Sequence, residues 1–322
     1  MFFLDNTWGQ PLPITDAIGR EESGNGYALR MLELNAVPFS DLANLISSPG
    51  HRYVQHEAAN KIAFLFGAEP SSVQRAIPKS FKRDGLMQVW FMGHQLTRTY
   101  LIRHTRPQLC PLCITETGYA KAVWDLSLTT ACPTHKIRLI DRCPACDRRL
   151  AWRRPGLNVC WCNTPFSNLR PNNAHESEIW LSQTLESKLV APSGSPSVLN
   201  NNPKTIMSLL SLDCLMRLIR CLGVTSIMKN NRPVPGKVTG TLSTAQMSEV
   251  VISGLDRWPD GEQQHKRPMD KAWDLKHLLA QATVADWPIL TNLLHFATRI
   301  EEFEGLGFDG QLSLDFTEVQ DA

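Results

Sequence analysis

The 322-residue sequence lacks most of what would announce an enzyme, a membrane protein or a polyanion-coating protein. It has no Gly-x-x-x-x-Gly-Lys loop to cradle phosphates, no Gly-x-Ser-x-Gly nucleophile elbow and no His-Glu-x-x-His helix, so no catalytic motif is legible. No window approaches the roughly twenty apolar residues that span a bilayer, so no membrane partner is expected. The opening Met1-Phe2-Phe3-Leu4-Asp5 has neither a basic stretch nor a useful apolar run. A signal peptide is therefore not expected, and the expected location is the bacterial cytoplasm. Net charge is only +2, too little for a nucleic-acid coat or a membrane-surface binder. No internal repeat exceeds a few residues.

What the sequence does have is a concentration of cysteine. Seven of the nine cysteines lie between Cys110 and Cys162, in close pairs with one histidine. Cys110-Pro-Leu-Cys113, Cys132-Pro-Thr-His135 and Cys143-Pro-Ala-Cys146 leave two residues between ligands, and Cys160-Trp-Cys162 leaves one. Such spacing lets one tight turn aim both donors at a single ion, and proline after the first cysteine pre-sets that turn. In a reducing compartment paired cysteines favour metal over disulfides. Eight soft donors suffice for two tetrahedral zinc sites, and the expected pairing is sequential. Cys110, Cys113, Cys132 and His135 would hold one ion, and Cys143, Cys146, Cys160 and Cys162 the other, with an interleaved, cross-braced pairing left open. Both shells are full, so the two zinc ions are expected to be structural cofactors and not catalysts. In peptide models such a site contributes on the order of 10 kcal/mol of folding energy. His104 is read as a surface or packing histidine, and Cys214 and Cys221 as buried core thiols.

Charge is also concentrated here. Residues 101–162 hold ten Lys and Arg against four Asp and Glu, a local +6, and the rest of the chain sums to -4. Seven thiolates and two dications would leave about +3, a modest basic patch. Its best candidate for nucleic-acid or partner contact is Arg148, Arg149, Arg153 and Arg154, whose bland reading is a solvated loop face.

The expected fold is mainly α with a small zinc-bound β or irregular module. Residues 1–104 form a helical, helix-turn-helix-like domain, 105–170 the double zinc module and 171–322 a C-terminal helical domain with an acidic tail. Between Glu21 and Ile46 two helices meet at Asn35-Ala36-Val37-Pro38, with Tyr27, Met31 and Leu34 on one face of the first. Ala58 to Phe66 is helical, Gly67 breaks it, and Ser71 is expected to cap a short helix through Ile77. This pattern is compatible with a helix-turn-helix, or with helical hairpins that only pack together. Leu86 to Leu101 predicts a short strand or irregular lead-in. Asn168 to His175 reads as a domain boundary. Glu176 to Val190 reads as an amphipathic helix carrying Ile179, Trp180, Leu185 and Leu189, and Lys204 to Leu222 as one buried helix. Pro192 to Asn202 is a linker by composition. Ser243 and Gln246 form a capping box, Asp270 caps a further helix, and Pro288 begins one ending near Phe303. The tail Glu301 to Asp321, with seven acidic residues and no basic one, reads as solvated or as a docking strand.

The residues among the ligands carry a resemblance. Cys110-Pro-x-Cys113, Gly118-Tyr119, Trp124, Cys132-Pro-x-His135, Leu139 and Cys143-Pro-x-Cys146 resemble the TniQ family of transposon target-selection proteins, which includes TnsD. Glu22-Ser23, Gly26-Tyr27, Arg30 and Asn35 match its N-terminal pattern, and Trp258-Pro259 loosely its C-terminal region. Gly24 and Gly26 depart from it, standing where larger residues are usual. The resemblance implies a non-catalytic adaptor coupling target recognition to the AAA+ ATPase TnsC and the transposase. In CRISPR-associated transposons, the closer likeness, the recogniser is an RNA-guided Cascade complex that TniQ joins as a homodimer. TnsD-like relatives instead read target DNA directly, the alternative for this chain.

Overall fold

The computed structural model describes residues 10–46, 52–169, 171–190, 203–227, 242–256, 278 and 282–297. Expectations for 192–202, 258–259, 270, the helix end near 303 and the acidic tail fall outside the described residues. Helices dominate, with small sheets beside them. By contacts the chain forms two compact units, one of Met1–Ser195 with Ser211–Arg257 and one of Pro196–Leu210 with Trp258–Ala322.

In the first unit, α1 (Gly24–Leu34) begins where the Ser23 hydroxyl accepts a hydrogen bond from Gly26 N, at 3.3 Å. It buries Tyr27, Ala28, Leu29, Met31 and Leu32, whereas Leu34, expected on the same face, is 48% exposed. Gly24 and Gly26 have a packing reason, since a Cβ at Gly24 would meet the Ile77 side chain. A Cβ at Gly26 would lie 2.6 Å from that of Ala120, so only glycine lets α1 approach the metal-bearing segment this closely. After Asn35 comes α2 (Phe39–Ile46). Next, α3 (Ala59–Phe66) ends at Gly67, left-handed at φ 71°, and packs on α4 (Pro70–Ala76). Ser71 is not the cap of α4. Pro70 at the first helical position starts the helix two residues sooner and leaves Glu69 in the cap place.

Beyond α4 the expected lead-in is instead a three-stranded antiparallel meander of β1 (Lys79–Arg83), β2 (Leu86–Phe91) and β3 (His94–Leu96). Both connections are two-residue turns with positive φ at each position, Asp84-Gly85 and Met92-Gly93. Such turns match the twist of the flanking strands. The inner residues Val89, Phe91 and Leu96 are fully buried, and Thr97 donates from both N and Oγ1 to the Asp213 carboxylate of α8 (Leu212–Ile227).

The metal-bearing segment follows as α5 (Pro111–Thr117), a single-turn 3-10 element at Ala122–Asp125, and the hairpin of β4 (Ala131–Cys132) and β5 (Ile137–Arg138). Asn172 to Ala174, read as a boundary, lie along this hairpin: Asn172 O accepts from Arg138 N and Ala174 N donates to Lys136 O. Despite the polar composition, the backbone there completes the sheet edge. Next, α6 (Glu176–Val190) has its expected span but turns Glu178, Leu181, Ser182, Leu185 and Leu189 inward, leaving Ile179 and Trp180 half-buried. The helix α8 packs on α9 (Thr244–Asp256) with Gly223 against the Val250 carbonyl. The capping box is present, Gln246 Oε1 accepting from Ser243 N and Ser243 Oγ from Gln246 N. The helix expected over 204–222 is two, since Ser211 Oγ accepts from Cys214 N and starts α8 afresh. In the second unit, α7 (Pro203–Leu209) packs on α10 (Trp287–Ala297), and Met207, Leu290 and Leu293 are buried.

Buried polar bonds join these elements. Arg103, with no side-chain exposure, donates to Asp141 Oδ2 at 3.0 Å and to the carbonyls of Arg106 and Leu242. Asp141 Oδ2 also accepts from Thr244 N at the start of α9, at 2.9 Å. Ser23 Oγ donates to Asp125 Oδ2 at 2.6 Å, and Asp125 carries a pKa pushed up to about 7 by burial. Glu22 accepts bidentately from Arg30, with 2.8 Å and 2.9 Å bonds.

Two outcomes are expected. Replacing Arg103 by Met strands Asp141 beside an apolar chain and should cost about 3–5 kcal/mol in urea unfolding; a change within experimental error would show that the pair is dispensable. Asp125 releases its proton near 3.8 when unfolded and near about 7 when folded. Between those values the folded state binds the extra proton, so stability falls as pH rises across that window. Asp125→Asn should flatten that slope in unfolding measured at a series of pH values, and an unaltered slope would refute the assignment.

Candidate metal centres

Each ligand pair sits on a local structure that its own sequence explains. Cys110 caps α5, its Sγ accepting from Cys113 N at 3.4 Å, and Pro111 occupies the first helical position. One helical turn thus carries both sulfurs. Cys132 ends β4 and His135 lies in the hairpin turn, closed by Lys136 N on Cys132 O with Lys136 at φ 56°. The Cys143 to Cys146 knuckle repeats this, with Asp147 N on Cys143 O and Asp147 at φ 54°. Around Cys160 the turn closes through Asn163 N, with Asn163 at φ 61°.

The eight donors assemble into two quartets in the sequential grouping. Cys110, Cys113, Cys132 and His135 form one, Cys143, Cys146, Cys160 and Cys162 the other, and within each quartet all donor atoms lie within 4.8 Å. Cys113 Sγ is 3.4 Å from Cys132 Sγ, and His135 Nδ1 lies 3.4, 3.3 and 3.4 Å from the sulfurs of Cys110, Cys113 and Cys132. In the second quartet Cys143 and Cys162 are 3.6 Å apart and Cys146 and Cys160 3.7 Å. A tetrahedron with bonds of about 2.3 Å to sulfur and 2.0–2.1 Å to nitrogen has edges of about 3.6–3.8 Å. A disulfide would need about 2.05 Å, and all nine cysteines are free. Donor chemistry and spacing therefore fit one four-coordinate cation per quartet.

Electrostatics agree with that fit. Crowded sulfurs drive Cys113 far above the ordinary thiol range, first through its hydrogen bond with Cys110, and Cys132 far below it, first through the same neighbour. A dication between them relieves this conflict. Cys162 is lowered to about 6 by Thr164, whose Oγ1 lies 3.2 Å from the sulfur. His135 turns its other nitrogen, Nε2, to Glu116 Oε1 at 2.9 Å. That carboxylate fixes the tautomer and aims Nδ1 at the sulfurs. Neither Glu116 nor Thr164 stood out in the sequence. Glu116 is three residues beyond Cys113 on α5, the helical spacing that could have identified it.

The arginine cluster does not stay together. Arg148 and Arg149 are exposed and Arg153 is half-buried. Arg154 is 3% exposed, donates to the carbonyls of Ala151 and Leu157, and lies over the rings of Trp152 and Phe166. It is therefore a core residue and not a contact residue, because the loop folds back and gives its guanidinium carbonyl partners and aromatic faces. His104 packs against Tyr53, ring centroids 5.4 Å apart, outside both quartets. Cys214 is buried as expected, while Cys221 is only partly so. On α4 the exposed Gln74 and Arg75 are engaged within the protein, Gln74 donating to Asn60 and Arg75 to the Arg20 carbonyl.

Glu116→Gln should lower affinity at the first quartet about 10–100-fold, read by chelator competition, and leave the second quartet unchanged. Equal loss at both, or none, would exclude the orienting role. No curated protein matches this chain. The family model described as TniQ matches residues 13–139, a span that contains the first quartet and stops short of the second. Over that segment, rather less than half of its length, the chain is similar to the TniQ family.

Proposed function

We propose that the protein is a non-catalytic target-selection adaptor of DNA transposition, with zinc in both quartets. The observation that carries this reading is the TniQ match over 13–139, together with donor sets that leave no ligand position for water. Zinc is favoured by sulfur-rich, tetrahedral, redox-neutral coordination. In this reading the chain works in the bacterial cytoplasm as a homodimer, joins a guide-RNA Cascade complex on one side and recruits the AAA+ ATPase TnsC and the transposase on the other. Among the described residues no helix is long and apolar enough to cross a membrane.

A second reading, direct recognition of target DNA in the manner of TnsD, is favoured by one observation, the exposure of Arg148 and Arg149 on the second metal knuckle. Pull-down of the tagged chain with Cascade and TnsC, set beside a gel shift on attachment-site DNA at stated salt, separates the two. Recovery of neither partner nor DNA would remove both.

Cys132→Ala should release the first zinc, unfold the segment around it and abolish targeted insertion while the ATPase and transposase stay active in untargeted assays. Full metal content with normal insertion in that variant would overturn the proposal.

A further inference from the structure

On the inner face of the meander Val89, Phe91 and Leu96 are buried; on the outer face Lys79, Arg83, Leu86 and Trp90 are exposed, Phe81 is half-buried and Gln88 is buried between them. The register places Lys79 opposite Trp90, Phe81 opposite Gln88 and Arg83 opposite Leu86 on the outer face. Trp90 is 45% and Leu86 41% exposed, and the Arg83 side chain is 61% exposed. Beside them Gln95 Nε2 donates to Gln88 Oε1 at 2.6 Å, which ties β3 to β2. Trp90 and Phe81 are diagonal cross-strand neighbours, a spacing within reach of large side chains.

The charge on this hairpin has one sign. Between residues 79 and 96 the cations are Lys79, Lys82 and Arg83, and the sole carboxylate is Asp84 in the turn, 3.6 Å from Arg83. Among the described residues Lys79 and Lys82 have no ion-pair partner. Lysine on an edge strand is a common guard against unwanted strand pairing, and β1 is an edge. That role accounts for the cations but not for a half-exposed tryptophan beside them, which costs solvation unless something covers it.

We propose that the outer face of the meander binds single-stranded nucleic acid. Bases stack on Trp90 and Phe81, and Lys79 and Arg83 meet the phosphates on either side. Unpaired bases offer π-faces that a duplex hides, and a sheet face with aromatic residues between cations suits them better than it suits a duplex. The biological role of this contact rests on the target-selection reading, while the binding itself is a property of the isolated chain.

The test is fluorescence anisotropy of the full-length chain with a short labelled single-stranded DNA, the same sequence as RNA, and its duplex, at low and raised salt. Single strands should bind more tightly than the duplex. Trp90→Ala should weaken binding about ten-fold, with Trp90→Phe restoring most of it. The Lys79→Glu/Arg83→Glu double variant should weaken binding and flatten its salt dependence, and should do so more than Arg148→Glu/Arg149→Glu does. Metal content and urea midpoint of each variant confirm folding. No binding by the parent chain, preference for duplex, or loss confined to the Arg148 and Arg149 variant overturns the proposal. A protein partner captured at this face without nucleic-acid binding overturns it equally. Failure of the adaptor reading would show separately, in the pull-down with ATPase and guide-RNA complex.

Discussion

Arg103 sits without solvent exposure between three parts of the first unit, and their arrangement depends on it. Its backbone N–H bonds the Asp125 carbonyl and its guanidinium reaches Asp141, Arg106 and Leu242. Taking that charge out of water costs several kcal/mol, and only a near-complete set of partners offsets it. Asp141 supplies the counter-charge and also caps the start of α9. A helix more than a hundred residues away is thereby held to the segment that leads into the first metal ligand.

The metal quartets and this buried network solve the same problem by different means. The segment from Cys110 to Cys162 has little regular structure, only α5 and the short β4–β5 hairpin carrying ligands. Its left-handed residues Lys136, Asp147 and Asn163 are not glycines, so each knuckle is mildly strained and needs an external hold. Coordination provides one. Contacts with α1 provide another: Ser23 bonds Asp125 and Ala120, and Glu33 accepts from Leu157 N at 2.8 Å beside the second quartet. Glu22 and Ser23 thus face the segment from Lys121 to Asp125, Glu22 pairing with Lys121 as an isolated bridge and Ser23 bonding Asp125.

The ligand sets were legible because cysteine pairs at fixed short spacing serve few purposes besides metal binding in a reducing compartment. The span of α6 and the Ser243 capping box were legible for a similar reason, their signals being local. The meander was not, although Asp84-Gly85 is a strong turn signal, because its strands carry exposed apolar residues that blur the alternation. Arg154 looked like a contact residue since sequence shows adjacency in the chain and not the carbonyls of Ala151 and Leu157 that a folded loop supplies. Asn172 to Ala174 looked like a domain boundary because polar side chains say nothing of backbone pairing.

What the sequence by itself determined is the local chemistry: which eight side chains can hold metal, where most helices start, and which family the pattern resembles. Such features are set within one turn of chain, where steric and donor requirements act on neighbours. Only the tertiary structure decided which quartet each ligand joins, that Glu116 orients His135, that Arg103 lies buried against Asp141, and that Trp90 stands outward among cations. These depend on residues distant in the chain meeting in a low-dielectric interior or on one sheet face, and no local pattern encodes that meeting.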